Sequence, residues 1–215
     1  MVGQGVLREC LLDPDIDVVQ TVGRSVTGVK HPKLRDLVRP DLLHYADIEA
    51  DLRGFDGCFF CLGVSSAGMS ERQYERLTYD ITMAAAEALS RLNTGMTFVY
   101  VSGAGTDSSE KGRTMWARVK GKTENALLRL PFKAAYMFRP GAIQSLHGER
   151  SKTTAVRVAY SLIKPLLPLL GRLFPGYILT TEEIGRAMIR VAKWGAPKTI
   201  LESSDIRDCA RTRQS

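Results

Sequence analysis

Four short apolar runs, at residues 17–22, 57–62, 96–101 and 134–138, alternate along this chain with segments of helical spacing. Each run stops at a cluster of small or turn-forming residues: Gly23-Arg24-Ser25, Gly63-Val64-Ser65, Ser102-Gly103-Ala104 and Arg139-Pro140-Gly141. Between them, Val6, Leu7, Cys10 and Leu11 share a helical face, as do Tyr74, Leu77, Ile81, Ala84, Ala85 and Leu89. Near-continuous apolar strands separated by helices predict a parallel sheet covered on both faces. Helices are expected over 4–13, 48–52, 70–92, 114–130 and 182–193. Ser70 with Glu71, and Thr180 or Thr181 with Glu182 and Glu183, supply helix starts. Residues 26–40 read as a polar connector carrying Pro32 and Pro40. Leu42, Leu43 and Tyr45 read as a short extended piece, 199–201 as a last strand, and the tail from Arg207 as frayed.

At 215 residues and 44% apolar, the chain can bury one core, so a single domain over 1–215 is expected. A charged fraction of 25% excludes general disorder. The net charge of +7 is scattered, with no basic block interleaved with aromatics, so no nucleic-acid partner is expected. Cys58 and Cys61 have the spacing of a redox or zinc pair, but on a strand residues three apart face opposite sides. They read as buried thiols in a reducing compartment. With no secretory leader legible, a cytoplasmic location is expected. His31, His44 and His147 are isolated, so no metal site is expected. The apolar stretch 156–175 is broken by Lys164, Pro165, Pro168 and Arg172, short of the ~20 apolar residues of a membrane span. A packed arm over a cleft and an interfacial membrane contact both remain open for it.

On open parallel sheets, ligands sit at the carboxyl ends of the strands, where small residues allow close backbone approach. The chain opens on Gly3 and Gly5 at the front of a helix, where free amides and the positive dipole end favour phosphate; a plain helix start is the alternative. No strand precedes that helix. The expectation is therefore a doubly wound sheet lacking its first, central strand, with two inner edges unpaired, in a chain that begins late and folds poorly or binds cofactor weakly.

The order and spacing of these motifs resemble the short-chain dehydrogenase/reductase superfamily. The nearer likeness is to its atypical branch of NAD-dependent epimerase/dehydratase or NAD(P)H-binding proteins, near the Tat-interacting-protein oxidoreductases. The resemblance runs from Val2 to about Ile200 and rests on Gly3, Gly23-Arg24, the segments 61–66, 100–104 and 116–124, and Phe138-Arg139-Pro140-Gly141. It implies a Rossmann-type fold and a nicotinamide dinucleotide, with Gly3 and Gly5 at the phosphates. Arg24 and Ser25 stand where an arginine grips a 2′-phosphate, favouring NADP over NAD. Asp41 and Leu42 are implied near adenine; Leu62, Gly63, Val64 and Ser65 near the ribose and pyrophosphate; Pro140 and Gly141 over the nicotinamide. Ser102 is implied to bond the substrate carbonyl, and Lys120 to hold the nicotinamide ribose and lower the pKa of a tyrosine one turn earlier. That position is Trp116, and an indole is a donor that does not ionise usefully. The proton must then come from another group (Tyr79, Tyr100 or Tyr160), or from water with Ser102. The remaining reading is a non-catalytic NADP(H)-binding sensor or scaffold. The segment 145–180 is expected to wall a cleft for a small, rather apolar carbonyl or hydroxyl substrate.

Overall fold

A computed structural model describes residues 1–146 and 177–212. The Leu/Pro-rich arm at 156–175, Tyr160 and most of the expected substrate wall lie outside the described residues. The fold is α/β. Helix α1 (Val2–Leu12) leads to strands β1 (Val19–Gly23) and β2 (Leu34–Val38), a 3-10 helix at Ala46–Leu52 and β3 (Gly57–Phe60). Next come α2 (Glu71–Glu75), a π turn (Arg76–Asp80), α3 (Ile81–Leu92), β4 (Thr97–Val101), α4 (Met115–Leu127), β5 (Ala134–Arg139) and β6 (Ala142–Gln144). After the undescribed residues follow β7 (Ile178–Thr180), α5 (Thr181–Trp194), β8 (Ile200–Glu202) and α6 (Ser203–Arg211).

Every described pairing is parallel. The main sheet runs β3-β4-β5-β8; β1 and β2 form a second sheet, and β6 and β7 a third. Strand alternation sorts the core into two layers. Cys61, Val99 and Phe138 pack with Val6 and Cys10 of α1, Met188 of α5 and Ile206 of α6. On the other face Cys58, Phe98, Tyr100 and Met137 pack with Met83 of α3 and Leu127 of α4. Cys58 and Cys61 therefore lie on opposite faces, both unpaired, and burial pushes both thiols up to about 12.

Several elements depart from the sequence expectation. The connector at 26–40 contains β2, whose Arg35 and Asp36 lie exposed while Leu37 packs on the layer of Tyr45, Ile48 and Leu52. Leu42, Leu43 and Tyr45 form no strand. The long helix carries a π turn, where the Thr82 hydroxyl donates to the Thr78 carbonyl at 2.5 Å. From Arg207 as far as Arg211 the chain is helical, because Ile206 is fully buried and Arg207 donates to Glu183 at 3.3 Å. Capping boxes stand at Ser70 with Gln73, at Thr180 with Glu183 and at Glu202 with Asp205.

Helices α1 and α5 touch through glycines. A Cβ on Gly5 would lie 2.5 Å from Thr181 Cβ, and one on Gly185 would lie 2.7 Å from Glu9 Cγ. Glu9 also accepts from Arg186 at 3.1 Å, and Lys193 bridges Asp13 and Asp15, each at 2.8 Å. Gly5 is buried in this contact, so its place is helix packing rather than the phosphate approach expected of it.

Candidate functional site

The parallel register of β4 and β5 continues past their ends. Ser102 N–H donates to Phe138 O, and Ala104 N–H to Pro140 O, both at 2.9 Å. Gly103, at φ 150°, is thereby held beside Pro140. Its bare face looks onto Lys120: a Cβ there would lie 3.9 Å from both Lys120 Nζ and Pro140 O. The loop after β4 rests directly on α4, since a Cβ on Gly121 would lie 1.8 Å from Asp107 O. Asp107 N–H also donates to Ala117 O at 3.1 Å. Trp116 forms the adjoining shelf, its ring edge 3.5 Å from where a Gly105 Cβ would stand.

Beneath this loop lies a buried charged network. Glu124, fully buried on α4, takes a two-point ion pair from Arg139 at the end of β5, with distances of 3.1 Å and 2.5 Å. Arg139 also donates to Ser108 Oγ at 2.6 Å and reaches Glu202 at 3.5 Å. Ser102 Oγ stands 2.5 Å from Glu124 Oε1 and 3.2 Å from Phe138 O. The serine expected to meet a substrate carbonyl is therefore buried, and its hydroxyl is engaged by acceptors of the fold.

Lys120 Nζ donates to the Ser102 carbonyl. Among the described residues no carboxylate pairs with it; Glu124, one turn along α4, is committed to Arg139 and Ser102. Desolvation lowers the Lys120 pKa to about 8 against the opposing pull of Glu124. Of the other acids considered, Tyr100 is sealed in the core and burial raises its pKa. Tyr79 lies under Lys122, whose Nζ is 4.6 Å from the ring centroid and pairs with Glu75. Tyr160 lies outside the described residues.

The remaining expected residues divide. Gly3, exposed at the start of α1, stands against Cys61, with a Cβ there 3.3 Å from Cys61 Cβ. This brings the helix start to the exit of β3, next to Leu62, Gly63, Val64 and Ser65, of which the last three are exposed. Arg24 and Ser25 follow β1, both exposed, and Arg24 makes no ion pair among the described residues. The Asp41 carboxylate is engaged within its own turn: it accepts from Leu43 N–H at 2.8 Å and lies 2.7 Å from His44 Nδ1, which hold its pKa down. Leu42 is buried. Pro140 is buried and Gly141 is covered by Tyr177, whose ring carbons would lie 2.9 Å from a Gly141 Cβ. Tyr177, Glu124 and Gly121 were not singled out in the sequence. For Glu124 a signal existed, since it lies four residues after Lys120 and so on the same helix face.

No protein-family model matches the chain. It is 30% identical over 207 residues to the mitochondrial protein FMP52-2 of Scheffersomyces stipitis, covering 93% of this chain and 86% of that protein. It is 26% identical to the mitochondrial protein fmp52 of Emericella nidulans over 88% of this chain and 82% of that one. It is also 27% identical to the leucinostatins biosynthesis cluster protein T of Purpureocillium lilacinum, over 87% of this chain and 80% of that one. Among solved structures it resembles the Bordetella bronchiseptica enzyme WbmF in complex with NAD+, at TM-score 0.65 and 16% identity, over 97% of this chain and 73% of that one. It likewise resembles a short-chain dehydrogenase/reductase family oxidoreductase from Burkholderia thailandensis, at TM-score 0.65 and 15% identity, over 96% and 88%. The fold is thus Rossmann-like. The relatives named mitochondrial overturn the expected cytoplasmic location. Free thiols separate only reducing from oxidising compartments.

Proposed function

The chain belongs to the FMP52 family, and from that premise we propose that it binds a nicotinamide dinucleotide at the exits of its parallel strands, as a mitochondrial oxidoreductase or epimerase/dehydratase-like enzyme. One observation carries this reading: a desolvated lysine, Lys120, whose carboxylate neighbour Glu124 is committed to Arg139, faces a side-chain-free stretch of backbone at Gly103 beside Pro140. A ribose hydroxyl fits a donor there, and the absence of a Cβ leaves room for it. Gly3 with Gly63, Val64 and Ser65 suits the pyrophosphate end, and the exposed Arg24 with Ser25 suits a 2′-phosphate, which favours NADP(H). A bound nicotinamide would supply hydride chemistry, with Lys120 placed to hold its ribose and Trp116 beside it. The substrate class is a small, rather apolar carbonyl or hydroxyl compound.

A second reading, dinucleotide binding without turnover, is favoured by two observations. The Ser102 hydroxyl is spent on Glu124, and Trp116 offers no ionisable proton. Calorimetric titration with NADPH and NADH tests binding. NADPH oxidation across aldehydes, ketones and quinones separates the two readings. No heat with either nucleotide sinks both.

A further inference from the structure

Ser102 is gripped at every polar atom. Its N–H donates to Phe138 O at 2.9 Å, and its carbonyl accepts from Lys120 Nζ. Its hydroxyl donates to Glu124 Oε1 at 2.5 Å and lies 3.2 Å from Phe138 O. Two of these contacts come from one face of α4, because Lys120 and Glu124 stand four residues apart. A lysine and a glutamate at that spacing readily pair with each other. Here the carboxylate is already filled. Oε1 takes the Ser102 hydroxyl and Arg139 Nε at 3.1 Å, and Oε2 takes a second Arg139 nitrogen at 2.5 Å. Ser102 and Glu124 are both buried, so solvent does not compete for these bonds. Lys120 is left to the Ser102 carbonyl. An ammonium has three donors, and one is spent there. Beyond it Gly103, whose Cβ would lie 3.9 Å from Nζ, keeps the ground free of a side chain.

We propose that Ser102 is a positioning residue for Lys120: its hydroxyl occupies Glu124 so that the carboxylate does not draw the lysine away, and its carbonyl fixes Nζ beside Gly103 with donors to spare. This role differs from contact with a substrate carbonyl, which a buried hydroxyl already donating to a carboxylate is not placed to make. Arg139 belongs to the same device, since it fills the rest of Glu124 from β5. The inference rests on the dinucleotide reading only for what the spare donors meet, the nicotinamide ribose. The hold on Lys120 is a property of the protein alone.

Two measurements test it. The first is competitive acetylation with acetic anhydride, without nucleotide, with the labelled lysines located by peptide mass mapping. In Ser102→Ala the freed lone pair of Glu124 is expected to take Lys120 and stabilise its ammonium form. Its acetylation then slows about tenfold relative to the exposed Lys111, the effect of about one unit of pKa. Ser102→Thr, which keeps the hydroxyl, is expected to label as the unaltered protein does. A chain merely loosened by the substitution would expose Lys120 and speed its labelling, so an unchanged or faster rate in Ser102→Ala overturns the proposal. The second is calorimetric titration with NADPH and with adenosine 2′,5′-bisphosphate, which lacks the nicotinamide ribose. Ser102→Ala and Lys120→Ala are each expected to weaken NADPH about tenfold, and the double variant no further than Lys120→Ala alone, because the serine acts through the lysine. The bisphosphate is expected to bind all four proteins alike. Additive losses, or equal losses for the two ligands, overturn the positioning role. If the unaltered protein binds neither NADPH nor NADH, the dinucleotide reading fails, and the acetylation rates alone decide the hold on Lys120.

Discussion

Removing the Glu124 carboxylate is expected to strand Arg139 in the interior, and the geometry sets the size of the effect. The guanidinium is nearly buried and donates two bonds to Glu124, which is itself fully buried. Breaking such a pair from one side costs about 3–5 kcal/mol, because one buried charge is left uncompensated. Glu202, 3.5 Å away but half exposed, remains to offset part of the loss. Glu124→Leu is therefore expected at the lower end, about 3 kcal/mol. At ~2–4 °C per kcal/mol for a chain of this size, the melting temperature falls by roughly 6–12 °C. Arg139→Met is expected to cost a similar amount at neutral pH and less in acid, where the stranded carboxylate can take a proton. The double variant Glu124→Leu/Arg139→Met replaces the pair by apolar groups and is expected to recover more than half of either loss, although Ser102 and Ser108 lose an acceptor or donor. Urea unfolding of the four proteins completes the cycle. Additive losses, or a Glu124→Leu cost below about 1 kcal/mol, would refute the claim that this pair acts as one unit.

Four further outcomes follow from the same geometry. Gly5→Ala is expected to lower stability by about 1–3 kcal/mol, since its Cβ would meet Thr181 at 2.5 Å. The exposed Gly3→Ala is expected to cost little stability but to weaken NADPH binding; calorimetry and thermal melts separate the two. The Lys120 pKa is lowered on folding, so between about 8 and its ordinary 10.5 the unfolded chain holds the extra proton and stability rises with pH. Denaturant curves at the two ends should show a gain of at most about 3 kcal/mol that Lys120→Met lacks. Arg24→Ala is expected to reduce NADPH affinity about tenfold or more and leave NADH affinity nearly unchanged, read by titration.

Strands β1, β3, β4 and β5 were legible because four apolar runs and their exits lie in the primary structure as contiguous words. The elements that escaped do not. Strand β2 exposes Arg35 and Asp36, so its five residues look polar, and only Leu34 and Leu37 hint at a half-buried strand. Helix α6 depends on one fully buried residue, Ile206, and on ion pairs to α5, neither of which is visible locally. At the site, the resemblance drew attention to Ser102, Trp116 and Lys120, and the structure does bring these around Gly103 and Gly105. What it could not convey is direction. Whether a serine hydroxyl points at a ligand or at a buried carboxylate depends on Glu124 and Arg139, which come from different elements. Gly5 shows the same limit: a glycine at a helix start reads alike whether it admits a phosphate or a neighbouring helix.

The clasp between α1 and α5 has a consequence for synthesis. Its partners are up to 180 residues apart, as in the bond from Lys193 to Asp13. At ~5–20 residues per second, α1 waits roughly 10–40 s on the ribosome before the surface that covers Val6 and Cys10 has been made. Throughout that interval its oily stripe is uncovered. A holdase binding there, or a slow stretch of translation upstream of α5, would alter the yield of native protein without touching a single contact in the finished molecule.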